Sequence, residues 1–409
     1  MLDWANQFSI CCFLDDNQYR LREHSFECLL AVNAQSVLHT TQGKVFEQLQ
    51  AFIDKSNDWC FGHLGYDLKN EIETLQSDNA DPVKFDDIFF FVPEIVLILR
   101  SNELLIGVKG QEHASVARAV FNRLPATPST PLQIEIKSRF SRNAYINTVR
   151  ELQQHILQGN CYEINFCQEF YNDHAVINPL QVYMALSKES PNPFSCYYKL
   201  EDKYLLCASP ERYLRKKANR LISQPIKGTI RRNNKRAEAD AFNRETLQHS
   251  SKERSENIMI VDLVRNDLAK VCIEGSVKVD ELMGIYAFPQ VYQMISTISG
   301  EVAHTVPVTN IVKATFPMGS MTGAPKKRVM ELIEQYEQTK RGLFSGAVGY
   351  ISPVQDMDFN VVIRSILYNA SNRYLSFQTG SAITYYSRAE DEYEECLLKA
   401  EAIKKVLNG

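Results

Sequence analysis

The chain has 409 residues, enough for two or three domains at roughly 100–200 residues each, or for one large composite domain. Hydrophobic residues make up 44% and charged residues 23%, which is typical of a globular protein and excludes a disordered or fibrous chain. The net charge of −4 excludes a strongly basic nucleic-acid binder and offers no polybasic patch for a membrane surface.

The first residues and the cysteines predict a cytoplasmic protein in a reducing compartment. The sequence begins MLDWANQFSICC, with an early acid and no long apolar run, so no signal peptide is expected. The longest apolar stretch, residues 88–99, is too short to span a bilayer and contains Pro93 and Glu94, so we expect two buried strands there. The ten cysteines lack zinc-site spacing and are expected to be reduced.

A proline-rich segment divides the chain. Pro125, Pro128 and Pro131 alternate with Ser and Thr, which predicts an extended linker. We therefore expect an N-terminal region, residues 1–130, packed against a catalytic domain, residues 131–409.

After this boundary, helical and strand patterns are interspersed. Helices are predicted at residues 141–158, 252–269, 326–339 and 391–407, and strands at 162–170, 199–214 and 220–226. Hairpin signals dominate, so the expected fold class is α+β, with largely antiparallel sheets covered by helices. The basic run at residues 231–245 is interleaved with acids and predicts a solvated loop.

A hairpin is predicted to bring an acid near a lysine. A turn centred on Asn219 would set residues 213–217 against residues 221–225 and would place Glu211 opposite Lys227. An acid and an amine held this close can exchange protons, and a desolvated lysine can become a nucleophile. A cross-strand surface salt bridge is the alternative interpretation.

Two helices carry acids at helical spacing. Glu253 and Glu256 share one face, and Glu392, Glu395 and Lys399 form a stripe on the last helix. Carboxylates that converge from two helices suit Mg²⁺, which also bridges to an anionic ligand. Two solvated helix faces with ordinary ion pairs would give the same pattern.

A glycine-rich turn and a buried arginine indicate an anion. The turn includes Gly319, Ser320 and Gly323 before a helix, and free backbone N–H groups at such a turn bind carboxylate or phosphate. A tight start of the helix explains it equally well. Arg364 lies in a predicted apolar strand and needs an anionic partner, either a structural acid or a ligand.

These segments together resemble one enzyme family. SPERYL, PIKGT, KERSENIMIVDLVRNDLAKVCIEGSVKV, FPMGSMTGAPKKRVMELI, GAVGYIS, VVIRSI and EYEECLLKAEAI occur in this order. They resemble the chorismate-utilising enzymes, which include anthranilate, aminodeoxychorismate, isochorismate and salicylate synthases. The segment WCFGHLGYDLKNEIETL is similar to the aminodeoxychorismate synthase branch. The resemblance implies an anthranilate synthase component I-like fold, an antiparallel β-sandwich with outer helices.

The resemblance also implies a role for each matching residue. Glu256 and Glu395 match Mg²⁺ ligands, and Glu253 and Glu392 match acids that hold the metal's water molecules. Glu211 matches the general acid that protonates the departing 4-hydroxyl of chorismate. Substrate contacts are matched by Arg364, which meets the enolpyruvyl carboxylate, and by Ser320, Lys399, Gly380, Ser381 and Ala382.

Lys227 assigns the branch within the family. The motif that contains Lys227 reads PIKGT in this chain. It resembles the motif of aminodeoxychorismate synthases, whereas the corresponding motif of anthranilate synthases resembles PIAGT. The resemblance implies that Lys227 attacks C2 of chorismate and that ammonia then adds at C4 and expels the lysine. The expected activity is a transferase reaction that makes 4-amino-4-deoxychorismate for 4-aminobenzoate and folate synthesis.

The chain departs from the family pattern at two positions that bear on its reaction. Water-using members have a lysine base where this chain has Glu163, which argues against an isochorismate synthase, and ammonia users commonly have glutamine there. Gln293 stands where many members have histidine, which fits an enzyme that keeps the enolpyruvyl group.

The chain has no evident glutaminase triad, so ammonia is expected from solution or from a separate glutamine amidotransferase subunit. Neither a nucleic acid nor a membrane is expected as a partner. Anthranilate synthase component I or another chorismate-utilising enzyme is the alternative, and a regulatory protein that kept the fold is a third interpretation.

Overall fold

The computed structural model describes residues 1–19, 23, 26–40, 43–110, 112–123, 133–233 and 235–409. The predicted linker prolines, Pro125, Pro128 and Pro131, lie outside these residues. The helices are α1 Leu2–Ala5, α2 Val45–Ser56, α3 Lys69–Glu73, α4 His113–Phe121, α5 Arg142–Leu157, α6 Pro179–Glu189, α7 Ala237–His249, α8 Ser251–Ala269, α9 Val308–Thr315, α10 Lys326–Tyr336 and α11 Ala389–Asn408. Short 3-10 turns lie at Tyr66–Leu68 and Gly319–Met321.

The strands fall on both sides of the predicted linker. They are β1 Ile10–Asp15, β2 Cys28–Val32, β3 Ser36–Thr40, β4 Cys60–Leu64, β5 Ile88–Val92, β6 Ile95–Arg100, β7 Glu103–Val108, β8 Lys137–Ser138, β9 Glu163–Asn172, β10 Phe194–Leu200, β11 Lys203–Ser209, β12 Arg212–Lys217, β13 Arg220–Gln224, β14 Ile226–Arg231, β15 Lys278–Ala287, β16 Val291–Glu301, β17 Gly323–Ala324, β18 Ala347–Ile351, β19 Met357–Asn360, β20 Ser365–Asn369 and β21 Tyr374–Ile383.

Two large sheets contain these strands. The first sheet runs β17-β9-β21-β20-β11-β10-β1-β2-β6-β7, with β8 beside β9. The second runs β14-β16-β13-β12-β19-β18-β4-β5-β3, with β15 beside β16. Among the described residues every pair of strands is antiparallel, which confirms the predicted α+β class.

The side-chain alternation of the first sheet shows that both of its faces are covered. In β1, Cys12 belongs to the core that it shares with the second sheet, whereas Cys11 and Phe13 belong to a core formed with helices. Helices α5, α6, α10 and α11 supply the apolar side chains of that second core. Because neighbouring strand residues point to opposite faces, the first sheet is the middle layer between the second sheet and these helices.

Most predicted elements agree with the structure. The four predicted helices correspond to α5, α8, α10 and α11, and the apolar stretch at residues 88–99 contains β5 and β6, which enter different sheets. The predicted loop at residues 231–245 is wrong, because α7 begins at Ala237. Most charged residues of α7 are exposed. Acids and bases interleaved in sequence are compatible with a solvent-exposed helix face as well as with a loop.

Both sheets extend across the predicted boundary at residue 130. The N-terminal strand β1 pairs with β10, and the N-terminal strand β4 pairs with β18. The division of the chain into residues 1–130 and 131–409 stays a prediction.

None of the described helices is both long and apolar enough to cross a membrane. The ten cysteines form no disulfide, and Cys28 and Cys272 are the ones only partly buried.

Candidate active site

A cleft of about 770 Å³ opens where the β9–β21 edge of the first sheet approaches the β14–β16 edge of the second. The N-terminal turns of α8 form one wall and the middle of α11 forms another. Most of the predicted site residues line this cleft: Glu211, Lys227, Glu253, Glu256, Ser320, Arg364, Gly380, Ala382, Glu395 and Lys399. Two predicted residues, Ser381 and Glu392, do not line it.

Lys227 extends from β14 and forms a buried ion pair. Its Nζ lies 2.9 Å from Oε1 of Glu163, on β9, and both side chains are less than a tenth exposed. Burial alone would lower the pKa of Lys227. The nearby carboxylates outweigh burial and raise this pKa: Glu163 acts most strongly, followed by Glu256 and Glu211.

Glu211 lies just before β12 and is fully buried. Burial raises the pKa of Glu211 to about 7, against the opposing effects of a hydrogen bond from Ser320 and the charge of Lys227. The Ser320 hydroxyl donates that bond to Oε1 over 2.6 Å. A carboxylic acid with this pKa is partly protonated near neutral pH, so it can donate a proton there.

The predicted hairpin register is wrong by one residue. Lys217 pairs with Arg220 rather than with Leu221, and a bulge interrupts the pairing between Arg212 and Arg215. Lys227 lies beyond this hairpin, in β14, which pairs with β16 instead. Glu211 and Lys227 still line the same cleft and interact electrostatically, but they are not opposed across a hairpin.

Lys252 lies among the predicted acidic residues. Its Nζ lies 2.9 Å from Oε1 of Glu392. The same Nζ lies 3.9 Å from Oε1 of Glu256 and 3.9 Å from Oε2 of Glu395. Ser250 caps the start of α8 by accepting a hydrogen bond from the backbone of Glu253, which sets Glu253 and Glu256 in the first turns. Lys252 was missed from the sequence, although it is the first residue of the matching segment KERSENIMIVDLVRNDLAKVCIEGSVKV.

The carboxylates of this cluster differ in pKa. Burial raises the pKa of Glu256 to about 8, because the charge of Lys227 opposes burial only in part. Burial and the negative charge of Glu395 raise the pKa of Glu253. For Glu395, burial is outweighed by Lys399, whose Nζ lies 2.7 Å away, and the pKa is lowered.

The donor chemistry of this cluster fits Mg²⁺. The fit concerns the kind of donor and not the present spacing, because within the described parts of the chain no three His, Cys, Asp or Glu side chains are gathered closely enough to hold a metal ion. Glu256 Oε1 and Glu392 Oε2 are buried without a hydrogen-bond partner, as expected of oxygens that accept a cation. The carboxylates already face one cation, the ammonium of Lys252, and oxygen donors are what Mg²⁺ prefers.

Arg364 forms no ion pair with a described residue. It lies in the break between β19 and β20 rather than within a strand as predicted, and its φ of +51° is unusual for a residue with a side chain. Burial lowers the pKa of Arg364, with Glu395 opposing this effect. A guanidinium that lines a cleft without an acidic partner is suited to bind a carboxylate.

The glycine-rich turn lines the cleft through Ser320 and is joined to β9. Asn165 of β9 donates a side-chain hydrogen bond to the Ser320 carbonyl over 3.1 Å. Gly323, with φ of +141°, allows the turn to reach β9, because a Cβ there would lie 2.1 Å from the Glu163 carbonyl oxygen. Lys326 pairs with Asp267 at 2.5 Å and is therefore not available to an anion.

The Gly380–Ala382 segment belongs to β21, so its side chains alternate. Gly380 and Ala382 line the cleft, while Ser381 points to the opposite face. Gly380 allows β21 to approach β9, because a Cβ would lie 1.9 Å from the carbonyl oxygen of Phe166. The carbonyl of Gly380 accepts a 2.8 Å hydrogen bond from Lys399. Gly380 is thus explained by strand packing.

A buried ion pair beneath the cleft was missed from the sequence. Arg341 Nη2 lies 2.6 Å from Glu337 Oε1, and the same arginine donates to the carbonyl oxygens of Met321 and Asn165. Glu337 also accepts a hydrogen bond from the backbone of Cys167. The four-residue spacing of Glu337 and Arg341 predicts only an ion pair between them. The hydrogen bonds from Arg341 to Met321 and Asn165 fix the glycine-rich turn against β9, and they join segments distant in sequence.

Comparison with known proteins identifies similar sequences. Residues 10–405 match the family described as chorismate binding enzyme. A Bacillus subtilis protein named aminodeoxychorismate synthase component 1 is 32% identical over 363 residues, which cover 85% of this chain and 76% of that protein. Its Escherichia coli counterpart is 31% identical over 350 residues, with the same coverage. Anthranilate synthase component 1 of Aquifex aeolicus is 30% identical over 366 residues, covering 85% and 73%.

Solved structures share the fold. Anthranilate synthase component I from Streptococcus pneumoniae aligns with a TM-score of 0.80 and 24% identity, over 95% of this chain and 94% of that chain. The menaquinone-specific isochorismate synthase of Escherichia coli aligns with a TM-score of 0.77 and 16% identity, over 99% and 91%. The expected anthranilate synthase component I-like fold is therefore confirmed.

Proposed function

The chain belongs to the chorismate-binding enzyme family, and on that premise we propose that it acts as an aminodeoxychorismate synthase component 1. Its reaction is the transfer of an amino group to chorismate, which gives 4-amino-4-deoxychorismate for 4-aminobenzoate and folate synthesis. One observation carries the choice within the family: the cleft wall bears an amine, Lys227, in the same buried space as the carboxylic acid of Glu211. The names of the two bacterial relatives support the same choice.

Glu211 is the general acid of this reaction. Its pKa of about 7, raised by burial, leaves the carboxyl group partly protonated near neutral pH. The Ser320 hydroxyl fixes one oxygen of this carboxyl group, and Glu211 lines the cleft that receives the substrate. The proton goes to the 4-hydroxyl of chorismate, which leaves as water.

Lys227 is the nucleophile. Its Nζ forms a bond to C2 of chorismate while the ring electrons shift and the C4–O bond breaks. Ammonia then forms the C4–N bond, the electrons shift back, and the C2–Nζ bond breaks. This covalent step directs nitrogen to C4, whereas direct attack at C2 would give the ortho product.

Positive charge on the cleft wall binds the carboxylates of chorismate. Arg364 has no acidic partner among the described residues, so it is free to bind the enolpyruvyl carboxylate. Lys399 is held by Glu395 and by the Gly380 carbonyl, which directs its ammonium into the cleft. These contacts orient the substrate between Glu211 and Lys227.

Glu256 and Glu395 would hold Mg²⁺, with Glu253 and Glu392 holding its water molecules. A bound Mg²⁺ would supply positive charge for the ring carboxylate of chorismate. Lys252 would leave the cluster as the ion enters, because its ammonium occupies the space between the same carboxylates.

Ammonia comes from a separate glutamine amidotransferase subunit or directly from solution. The words "component 1" in the names of the relatives support a two-component enzyme. The cytoplasmic location expected from the sequence is part of the same proposal.

Product analysis tests this function. Purified protein is incubated with chorismate, an ammonium salt and Mg²⁺, and the product is identified by mass spectrometry and NMR. The expected product carries nitrogen at C4 and retains the enolpyruvyl group. Anthranilate and free pyruvate would favour anthranilate synthase, the name of another relative at 30% identity. Absence of any amino product with a glutaminase present would overturn both functions.

A further inference from the structure

The proposed nucleophile is surrounded by negative charge. Glu163 reaches Lys227 from β9, Glu211 from the segment before β12, and α8 contributes Glu253 and Glu256. Glu395 of α11 also interacts with Lys227. These carboxylates stabilise the ammonium form of the lysine, which has no lone pair with which to attack carbon. The reaction therefore needs a group that removes a proton from Nζ.

We infer that Glu163 is that group: it accepts one proton from Lys227 Nζ before the attack on C2 and returns it after ammonia has expelled the lysine. The inference rests on the proposed function, because it concerns a step of that reaction. Glu163 contacts the reacting nitrogen directly and is therefore a catalytic residue of the step.

Geometry selects Glu163 from the surrounding acids. Its Oε1 lies 2.9 Å from Nζ, within the distance for direct proton transfer, and the side chain is 1% exposed. Its Oε2 has no hydrogen-bond partner among the described residues. Glu211 is engaged by Ser320, and Glu256 faces Lys252. Among the ion pairs of the described residues, Glu163 pairs with Lys227 alone.

The backbone also fixes the position of Glu163. Its Cα is paired with that of Ala324 in β17, and the preceding residue is a glycine because a Cβ at Gly323 would lie 2.1 Å from the Glu163 carbonyl oxygen. The glycine-rich turn that carries Ser320 thus fixes Glu163 as well. The carboxylate is held before the substrate arrives, as a proton acceptor requires.

The proton balance closes over the full reaction. One Nζ proton moves to Glu163, and the neutral amine forms the C2–Nζ bond while the proton of Glu211 leaves with the hydroxyl as water. Ammonia then forms the C4–N bond, and Lys227 departs as a neutral amine. The new C4 ammonium returns a proton to Glu211, and Glu163 returns its proton to Lys227. The net reaction is chorismate plus ammonia to the amino product plus water.

Covalent adduct formation with ammonia omitted provides the test. The gain in intact-protein mass, equal to chorismate minus water, is followed over time in the wild type, Glu163→Gln and Glu163→Asp. A general base typically contributes about 10²–10⁴-fold to its step, so Glu163→Gln is expected to slow the adduct by about that factor while chorismate still binds. Glu163→Asp keeps a carboxylate and is expected to recover part of the rate.

Glu169→Gln is the matched control. Glu169 is a second buried carboxylate on the same face of β9, but it pairs with Arg139 rather than with Lys227. Its substitution is expected to leave the adduct rate within a few-fold of the wild type, and thermal unfolding checks that each variant is folded.

An adduct that forms in Glu163→Gln as fast as in the wild type, or faster, would overturn the inference. Glu163 would then serve only as an anion that keeps Lys227 protonated. The same conclusion would follow if Glu163→Asp were folded and slower than Glu163→Gln. If the wild type formed neither the adduct nor the 4-amino product, the proposed function itself would be overturned. Failure of the inference and failure of the proposed function are therefore distinguishable.

Discussion

The Ser320 hydroxyl donates a 2.6 Å hydrogen bond to Oε1 of Glu211 and so joins the glycine-rich turn to the segment before β12. Both side chains are buried, and the bond opposes the effect of burial on the pKa of Glu211. The turn therefore has a chemical role at this position, since it holds the proposed acid and sets its proton affinity.

Replacing Ser320 with alanine is expected to raise the pKa of Glu211 above about 7. The hydrogen bond favours the carboxylate, and a bond to a charged group contributes about 1.5–3 kcal/mol, or about one to two pH units. Because Glu211 acts when protonated, the alkaline limb of the kcat–pH profile moves to higher pH. A limb that stays in place or moves to lower pH would contradict this role for Glu211.

Replacing Glu256 with glutamine is expected to weaken Mg²⁺ binding and to reduce the pH dependence of that binding. Burial raises the pKa of Glu256 to about 8, and a carboxyl group must lose its proton to bind a cation. Wild-type affinity should therefore rise as pH increases toward and through about 8. Isothermal titration with Mg²⁺ alone measures this without turnover.

Asp262→Asn is the control for the Mg²⁺ titration. Asp262 lies on the same helix, is exposed and pairs with Arg265. It should bind Mg²⁺ as the wild type does. Equal Mg²⁺ affinity in Glu256→Gln and Asp262→Asn would remove Glu256 from the ligand set.

Replacing Arg364 with glutamine is expected to raise KM for chorismate about 10–100-fold, because a charge-assisted hydrogen bond contributes about 1.5–3 kcal/mol. The free energy of unfolding should not fall, since the substitution removes a partly buried cation that lacks an acidic partner among the described residues. Arg373→Gln is the control, because Arg373 also has a positive φ but is exposed away from the cleft. Equal KM values in the two variants would exclude Arg364 as a carboxylate ligand.

Replacing Gly380 with alanine is expected to destabilise the fold by about 1–3 kcal/mol or more, because the new Cβ would overlap the Phe166 carbonyl of β9. Gly107→Ala in β7 is the control, since its nearest neighbour would be 3.7 Å away, an ordinary contact. Urea unfolding compares the two. Similar stability would mean that β21 and β9 can separate without cost at this point.

The sequence predicts the elements of this protein better than their register. Apolar periodicity in α8 and α11 locates the acids correctly on two helices, because helical spacing is a local property. The predicted register of the Glu211–Lys227 hairpin was wrong at the turn, because Lys217 pairs with Arg220 and a shift of one residue there changes every pair along the hairpin. Arg364 was assigned to a strand because its neighbours are β-branched, although the chain breaks there with a positive φ.

Contacts between distant segments could not be predicted in this way. Glu163 was recognised as a departure from the family pattern, but its contact with Lys227 joins strands of different sheets. Lys252 was overlooked for the same reason, since its partner Glu392 is on another helix. No local pattern specifies which buried charges meet across a cleft.

Mapping the covalent adduct tests the central claim most directly. Wild-type protein is mixed with chorismate and Mg²⁺ without ammonia, quenched, digested and analysed by mass spectrometry. A modification of chorismate minus water is expected on the peptide that contains Lys227 and should disappear when ammonium is added. Formation of 4-amino-4-deoxychorismate with Lys227 unmodified throughout, or by a Lys227→Ala variant at the wild-type rate, would contradict the covalent mechanism.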